Sequence, residues 1–169
     1  AATIPSLAAW IVWPDHIGVT YLCGIAGVAH LVRWARWAGW QTRSEPMLWI
    51  LHLGYLFVPL GFLAVCLAGI GSPISTMIGA QHLWMAGAIG VTTLAIMSRA
   101  SLAHAGRKPV ANLAVTTSFI LILAAVVLRF VATLAPATNA IMYMSAMCWV
   151  VGFAVFTVTY FPILTKPTR

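Results

Sequence analysis

The chain has 169 residues, of which 62% are hydrophobic and only 7% are charged. A soluble domain of this size could not cover its surface with so few charged side chains, so the composition excludes that class of protein. The formal net charge of +7 does not indicate nucleic-acid binding, because basic residues beside apolar spans set membrane topology instead. We therefore expect a polytopic membrane protein that is surrounded by the lipid bilayer and has no nucleic-acid partner.

The chain opens with a short apolar segment, residues 1–15. This segment is interrupted by Pro5 and is shorter than the ~20 residues that cross a ~30 Å hydrocarbon core. It is therefore predicted to be part of another span or a re-entrant segment, which suggests that further sequence lies upstream.

Five later runs are long and apolar enough to cross the bilayer. They cover approximately residues 16–34, 47–70, 78–98, 110–134 and 139–164, within a membrane domain of residues 16–169. Apolar runs of this length form helices, because lipid offers no partners to backbone polar groups. The predicted fold class is all-α: a polytopic transmembrane helix bundle with five spans plus a short apolar N-terminal segment.

The basic residues predict the orientation of these spans. Most of them follow the first, third and fifth spans: Arg33, Arg36, Arg43, Arg99, Arg107, Lys108, Lys166 and Arg169. The positive-inside rule makes the basic loops and the C-terminus cytoplasmic. The remaining cation, Arg129, lies inside the outer end of the fourth span. It is either a snorkelling arginine or a buried partner for an anionic group such as a haem propionate.

The five histidines form two groups by depth. His16 and His82 are predicted near the outer face, and His30, His52 and His104 near the cytoplasmic face. At ~1.5 Å per residue, His82 and His104 are roughly 33 Å apart and cannot share a metal ion.

In the first span, His16 and His30 lie on one helical stripe with Gly27, ~21 Å apart along the axis. This pattern suits a helix that serves two stacked b-type haems, with the glycine admitting the macrocycle or a neighbouring helix. Each histidine is either a haem or copper ligand or a hydrogen-bonded interfacial residue.

Methionines accompany the outer histidines. Met85 follows His82 by three residues, and Met142, Met144 and Met147 lie at the outer end of the fifth span. Imidazole with thioether suits copper as well as haem, although methionines also fill apolar cores. Asp15 and Glu45 are the only acids and lie on opposite sides of the membrane, which excludes a two-carboxylate hydrolase within this chain.

Three runs of the sequence resemble the NnrS family, a haem- and copper-containing bacterial inner-membrane family tied to the nitric oxide response. The runs are HLVRWARWAGWQTRSEPMLWILHLGYLFVPLG, HLWMAGAIGVTTLAIMSRASLAHAGRKP and YFPILTKP. The resemblance extends from about Val28 to Pro167. It implies a location in the bacterial inner (cytoplasmic) membrane.

The resemblance also marks individual residues and a wider protein. The marked residues are His30, His52, His82, Arg99, His104, Gly106, Arg107 and Arg129. Family members are about twice as long, so the resemblance implies a C-terminal half. Further ligands would then come from an N-terminal half or from a second copy of the chain.

The leading hypothesis is a haem-binding membrane protein of the nitric oxide response or of associated electron transfer. It would hold haem b by bis-histidine ligation between helices, with copper as a further candidate metal. Expected pairings by depth are His30 with His52, His16 with His82 near Arg129, and His104 with Arg99 and Arg107 as an anion site or a support for the inner haem. The metal ligands would be His30, His52, His82 and His104, with His16 also bound to the cofactor.

Two alternatives stay open. One is a metal-free membrane scaffold or one half of a small-molecule transporter. The other is an enzyme that turns over nitric oxide, which needs an open metal position.

Overall fold

The fold is known from a computed structural model of the chain. The structure describes residues 3–37, 39–42, 44–135 and 139–165, apart from the side chain of Trp40. Three of the basic residues used to predict topology, Arg43, Lys166 and Arg169, lie outside the described residues.

Helices make up almost all of this part of the chain. They are α1 (Thr3–Val12), α2 (Ile17–Arg36), α3 (Pro46–Gly69), α4 (Met77–His82), α5 (Thr92–His104), α6 (Leu113–Leu134) and α7 (Asn139–Thr165). A π-helical segment, Leu83–Val91, joins α4 to α5 in one continuous span, and a short 3-10 helix, Gly39–Thr42, follows α2. Five spans are long and apolar enough to cross a membrane, and α1 is a short apolar helix. The predicted all-α bundle is confirmed.

Successive spans pack against one another in antiparallel pairs. The end of α3 meets the start of α2, where a Cβ on Gly69 would lie 2.6 Å from Thr20 Oγ1. At the other end, the Trp34 indole donates a hydrogen bond of 2.9 Å to the carbonyl of His52. Each hairpin therefore places the end of one helix beside the start of the next.

The same arrangement continues across the second half of the chain. The hydroxyl of Thr76, which caps α4, donates to Thr133 Oγ1 near the end of α6 at 2.9 Å. Between α6 and α7, Ser145 donates to the carbonyl of Ala125 at 2.7 Å. We call the end of the bundle that holds these α4 and α6 termini the neutral end. The basic end, opposite, holds Arg33, Arg36, Arg99 and Arg107.

Small residues allow the π-helical segment to approach α3 closely. A Cβ on Gly87 would lie 2.5 Å from Cγ of Phe57, so this glycine makes room for the phenyl ring. Close backbone approach at small residues is the usual way in which membrane helices pack. Gly87 therefore gives the third span a close contact with α3.

The third span continues beyond its predicted end at Ser98. Arg99 and His104 were expected in a loop, but both lie in α5. The helix closes just beyond, where the N–H of Gly106 donates to Ala103 and the N–H of Arg107 donates to Leu102. Gly106 has a φ of 64°, which a Schellman-type helix end requires and which glycine adopts without strain. The loop placement of these two residues was wrong, because a helix can extend past the hydrocarbon edge.

A buried hydroxyl links α6 to α7. Ser118 is fully buried and its hydroxyl donates to the carbonyl of Gly152 at 2.7 Å. Ser118→Ala is expected to lower the free energy of unfolding by about 0.6 kcal/mol, the typical contribution of such a bond within a membrane protein. Denaturant unfolding in detergent measures this change. Thr157→Ala is the control, since that hydroxyl is exposed and bonds only to its own helix; equal losses in both variants would contradict the assignment.

Candidate functional site

The neutral end brings together the imidazole of His82 and the guanidinium of Arg129. His82 is the last residue of α4, and Arg129 lies on the facing side of α6. The Nε–H of Arg129 donates to Nε2 of His82 at 2.9 Å. The sequence placed both residues near the outer face, and the structure joins them directly.

The tautomer of His82 follows from its second hydrogen bond. Nδ1 lies 2.7 Å from the carbonyl oxygen of Ile78, which can only accept, so Nδ1 carries the proton. Nε2 then carries a lone pair, which points toward Arg129. A histidine that binds a metal commonly donates one ring N–H to a backbone carbonyl in this way, which orients the ring and frees the other nitrogen.

His82 and Arg129 line a cavity of about 290 Å³ between α4, α6 and α7. Met142, Ser145 and Trp149 of α7 complete its wall. The exposed side chains of Ala146 and Val150 stand at its edge, so the cavity opens on the outside of the bundle. It combines one imidazole, one thioether and one cation in apolar surroundings.

The predicted methionines separate into two groups. Met142 lines the cavity of His82, whereas Met85, Met144 and Met147 are 64%, 56% and 62% exposed on the outer surface. Met142 therefore shares a site with His82, while the other three face the surroundings of the bundle.

His16 lies at the start of α2, in different surroundings. Its Nδ1 accepts a hydrogen bond of 3.1 Å from the backbone N–H of Gly18, so His16 caps the helix. It lines a separate cavity of about 430 Å³ with Trp13 and Leu22. The described contacts do not bring His16 and His82 together as the expected pair.

His30 is bonded through both ring nitrogens. Its Nδ1 lies 2.7 Å from the hydroxyl of Tyr55 on α3, and its Nε2 lies 2.7 Å from Thr3 Oγ1 on α1. Hydroxyls can donate or accept, so either neutral tautomer satisfies both bonds. In this arrangement His30 presents no free lone pair to a metal ion. The stripe that carries His30 packs on α3, where Gly27 faces Leu63, so a helix rather than a macrocycle occupies this face.

His52 is enclosed by aromatic rings and backbone at the basic end. Its ring centroid lies 5.1 Å from that of Trp34 and 6.2 Å from that of Trp37. Gly39 lies directly against the imidazole, at a point where a Cβ would overlap the ring. Tyr55 and Trp37 lie between the two histidines: Tyr55 is hydrogen-bonded to His30, and Trp37 contacts both Tyr55 and His52.

The third expected site, at the end of α5, is open to its surroundings. His104 and Arg107 are exposed. Arg99 is half-buried and lines a cavity of about 330 Å³ with Leu51 and Pro109. Among the described residues no group of three or more His, Cys, Asp or Glu side chains is placed to hold a metal ion.

The partners of His30 and the methionine that lines the cavity of His82 were not predicted from the sequence. Thr3 and Tyr55 were not expected as the partners of His30, although Tyr55 stands three residues after His52 on the same helix face. Met142 was one of three methionines predicted at the outer end of α7. The rotation of that helix determines that Met142, and not Met144 or Met147, lines the cavity of His82.

Comparison with known proteins places the chain in one family. The family model described as NnrS protein matches residues 1–168, essentially the whole chain. No curated protein and no solved structure matches the chain.

Proposed function

Because this chain belongs to the NnrS family, and is thus a membrane protein of the nitric oxide response, we propose that it binds haem b through His82. The observation that carries the proposal is the contact between Nε2 of His82 and Arg129 at the cavity wall. The NnrS family is generally associated with haem and copper. His82, Met142 and Arg129 therefore have to fit either haem or copper.

The arginine favours haem over a bare copper ion. A guanidinium 2.9 Å from the ligating nitrogen would repel a copper cation. Haem carries two carboxylates, and arginine pairs with carboxylates in strong charge-assisted hydrogen bonds. No acidic side chain within the described spans is available to pair with Arg129. A propionate would therefore give Arg129 an anionic partner and release Nε2 of His82 for the iron.

The residues that would hold the group have distinct roles. His82 would bind the haem iron through Nε2 and is oriented by the carbonyl of Ile78. Met142 offers a thioether in the same cavity as a second ligand, an imidazole–thioether pair known to raise haem potentials. Haem would supply a one-electron couple and, where the Met142 thioether is displaced, a binding position for nitric oxide. Arg129 would fix the propionate, and Trp149 would keep water from the ring.

The proposal revises the expected pairings. We propose His82 with Met142 instead of His82 with His16, because Met142 lines the cavity of His82 and His16 lines another. His30 takes a hydrogen-bonding role. Arg99, His104 and Arg107 remain a proposed anion site at the basic end. We also propose that this end faces the cytoplasm in the bacterial inner membrane, in line with the positive-inside rule.

Haem titration of the purified chain tests the proposal through Arg129. Arg129→Gln keeps a hydrogen-bond donor for Nε2 of His82 but removes the charge that would meet a propionate. We expect haem b affinity to fall roughly 10- to 100-fold, the usual effect of losing a supporting group. Arg36→Gln, which changes an exposed arginine at the opposite end, is the control and should leave affinity unchanged. Equal affinity in the wild type and Arg129→Gln would contradict the proposed site.

A further inference from the structure

A group of five rings fills the basic end between α2 and α3. This aromatic cluster consists of His30, Trp34, Trp37, His52 and Tyr55. The closest pair is Trp37 and Tyr55, whose ring centroids lie 4.5 Å apart. Tryptophan and tyrosine are the side chains most easily oxidised by one electron, so their contact defines a place where an electron vacancy could settle.

Tyr55 has a base for its phenolic proton. Its hydroxyl lies 2.7 Å from Nδ1 of His30, and Nε2 of His30 lies 2.7 Å from Thr3 Oγ1. In the tautomer with the proton on Nε2, Tyr55 donates to Nδ1 and His30 donates to Thr3. Loss of an electron from the phenol can then be accompanied by transfer of its proton to His30, which leaves a neutral tyrosyl radical.

Trp37 is the exposed member of the pair. Its side chain is 49% exposed, whereas Tyr55 is half-buried. The guanidinium carbon of Arg33 lies 5.7 Å from the Trp37 ring centroid. A tryptophan radical cation beside this guanidinium is disfavoured by like-charge repulsion. Movement of the vacancy to Tyr55 leaves both Trp37 and Tyr55 uncharged and places the positive charge on His30, whose two ring N–H groups can then donate to Tyr55 and Thr3.

The inner boundary of the pair is a ring that resists oxidation. His30 stacks on Phe62 with ring centroids 5.8 Å apart and an interplanar angle of 8°. A phenyl ring is much harder to oxidise than an indole or a phenol. The vacancy therefore does not settle on Phe62, which lies between His30 and Trp84.

We propose that Trp37 and Tyr55 form a radical-trapping site for nitrogen dioxide, the one-electron oxidant that nitric oxide forms with oxygen. Nitrogen dioxide takes one electron from Trp37 and becomes nitrite. Tyr55 returns an electron to Trp37 and passes its phenolic proton to Nδ1 of His30. The net change converts nitrogen dioxide, the Tyr55 phenol and neutral His30 into nitrite, a tyrosyl radical and the His30 imidazolium. This site needs no haem and goes beyond the proposed haem function.

Pulse radiolysis of a nitrite solution containing the purified chain tests the site, with nitrogen dioxide as the probe and no added haem. We expect the wild type to form a tyrosyl radical, identified by electron paramagnetic resonance after rapid freezing. Tyr55→Phe should abolish that signal and leave a tryptophan radical instead. His30→Gln, which cannot take the proton, should slow tyrosyl formation roughly 100-fold, as for loss of a positioned base.

The controls separate Tyr55 from the other tyrosines. Tyr21→Phe and Tyr143→Phe remove exposed tyrosines, and Tyr160→Phe removes a buried one that stacks on Phe156; all three lie outside the aromatic cluster and should leave the radical unchanged. Absence of a tyrosyl radical in the wild type, or its persistence in Tyr55→Phe, would overturn the proposal. If His30→Gln does not fold, slower tyrosyl formation by the wild type in deuterated water supports proton transfer, and an unchanged rate overturns it. Neither result bears on haem binding at His82.

Discussion

His82→Ala is expected to remove haem b from the neutral end of the bundle. The imidazole is the strongest metal ligand lining the cavity, and its Nε2 is oriented by the bond from Nδ1 to Ile78. Without it, the thioether of Met142 is left as the sole candidate ligand in the described wall of the cavity. Haem bound per chain, measured by the pyridine haemochrome of the purified variant, should fall to background.

A rescue experiment distinguishes ligand loss from misfolding. Alanine at position 82 leaves a space next to Arg129 that free imidazole can enter, so added imidazole should restore haem binding. His104→Ala, which removes an exposed histidine at the basic end, should retain the full haem content. Haem content that is unchanged in His82→Ala would show that His82 is not the ligand.

Gly61→Ala is expected to destabilise the fold more than the other exchanges considered. Gly61 is buried in α3, and a Cβ there would overlap the indole of Trp84. The indole cannot withdraw easily, because its Nε1–H donates to the carbonyl of Val58 at 3.1 Å. Overpacking of this kind costs about 1–3 kcal/mol in the free energy of unfolding. Denaturant unfolding in detergent, followed by circular dichroism, measures the loss.

The matched control for this exchange is Gly18→Ala in the first turn of α2. Its Cβ would meet only the ring of His16, at 3.1 Å, and displacement of that exposed ring would cost no more than its capping bond to the Gly18 N–H. We expect a loss of stability of at most about 1 kcal/mol, the typical contribution of a helix cap. If Gly61→Ala were equally mild, the close approach of α3 to the third span would not be as described.

The sequence was sufficient to predict the spans and part of the candidate site. Apolar length and the absence of partners for backbone groups in lipid determine the helices, so their number followed directly. Depth in the membrane also follows from position along a helix. His82 and Arg129 were therefore both placed near the outer face, and the structure joins them at 2.9 Å.

Contacts between helices could not be predicted in the same way. Depth does not determine which faces of two helices meet, so the partners of His30 and the choice of Met142 depended on helix rotation. Hydropathy fell at Ser98 and suggested the end of a span, yet the helix continues to His104. The π-helical segment Leu83–Val91 was also not predicted, because no local pattern distinguishes it from an α-helix of the same composition.

The most direct test of the haem proposal is the reduced-minus-oxidised optical spectrum of the unmodified chain, purified from membranes, with and without nitric oxide. We expect b-type haem bands that shift when nitric oxide is added to the reduced protein. A spectrum without haem bands would contradict the haem proposal. Copper found by elemental analysis of the same sample would then show that the chain binds copper instead of haem.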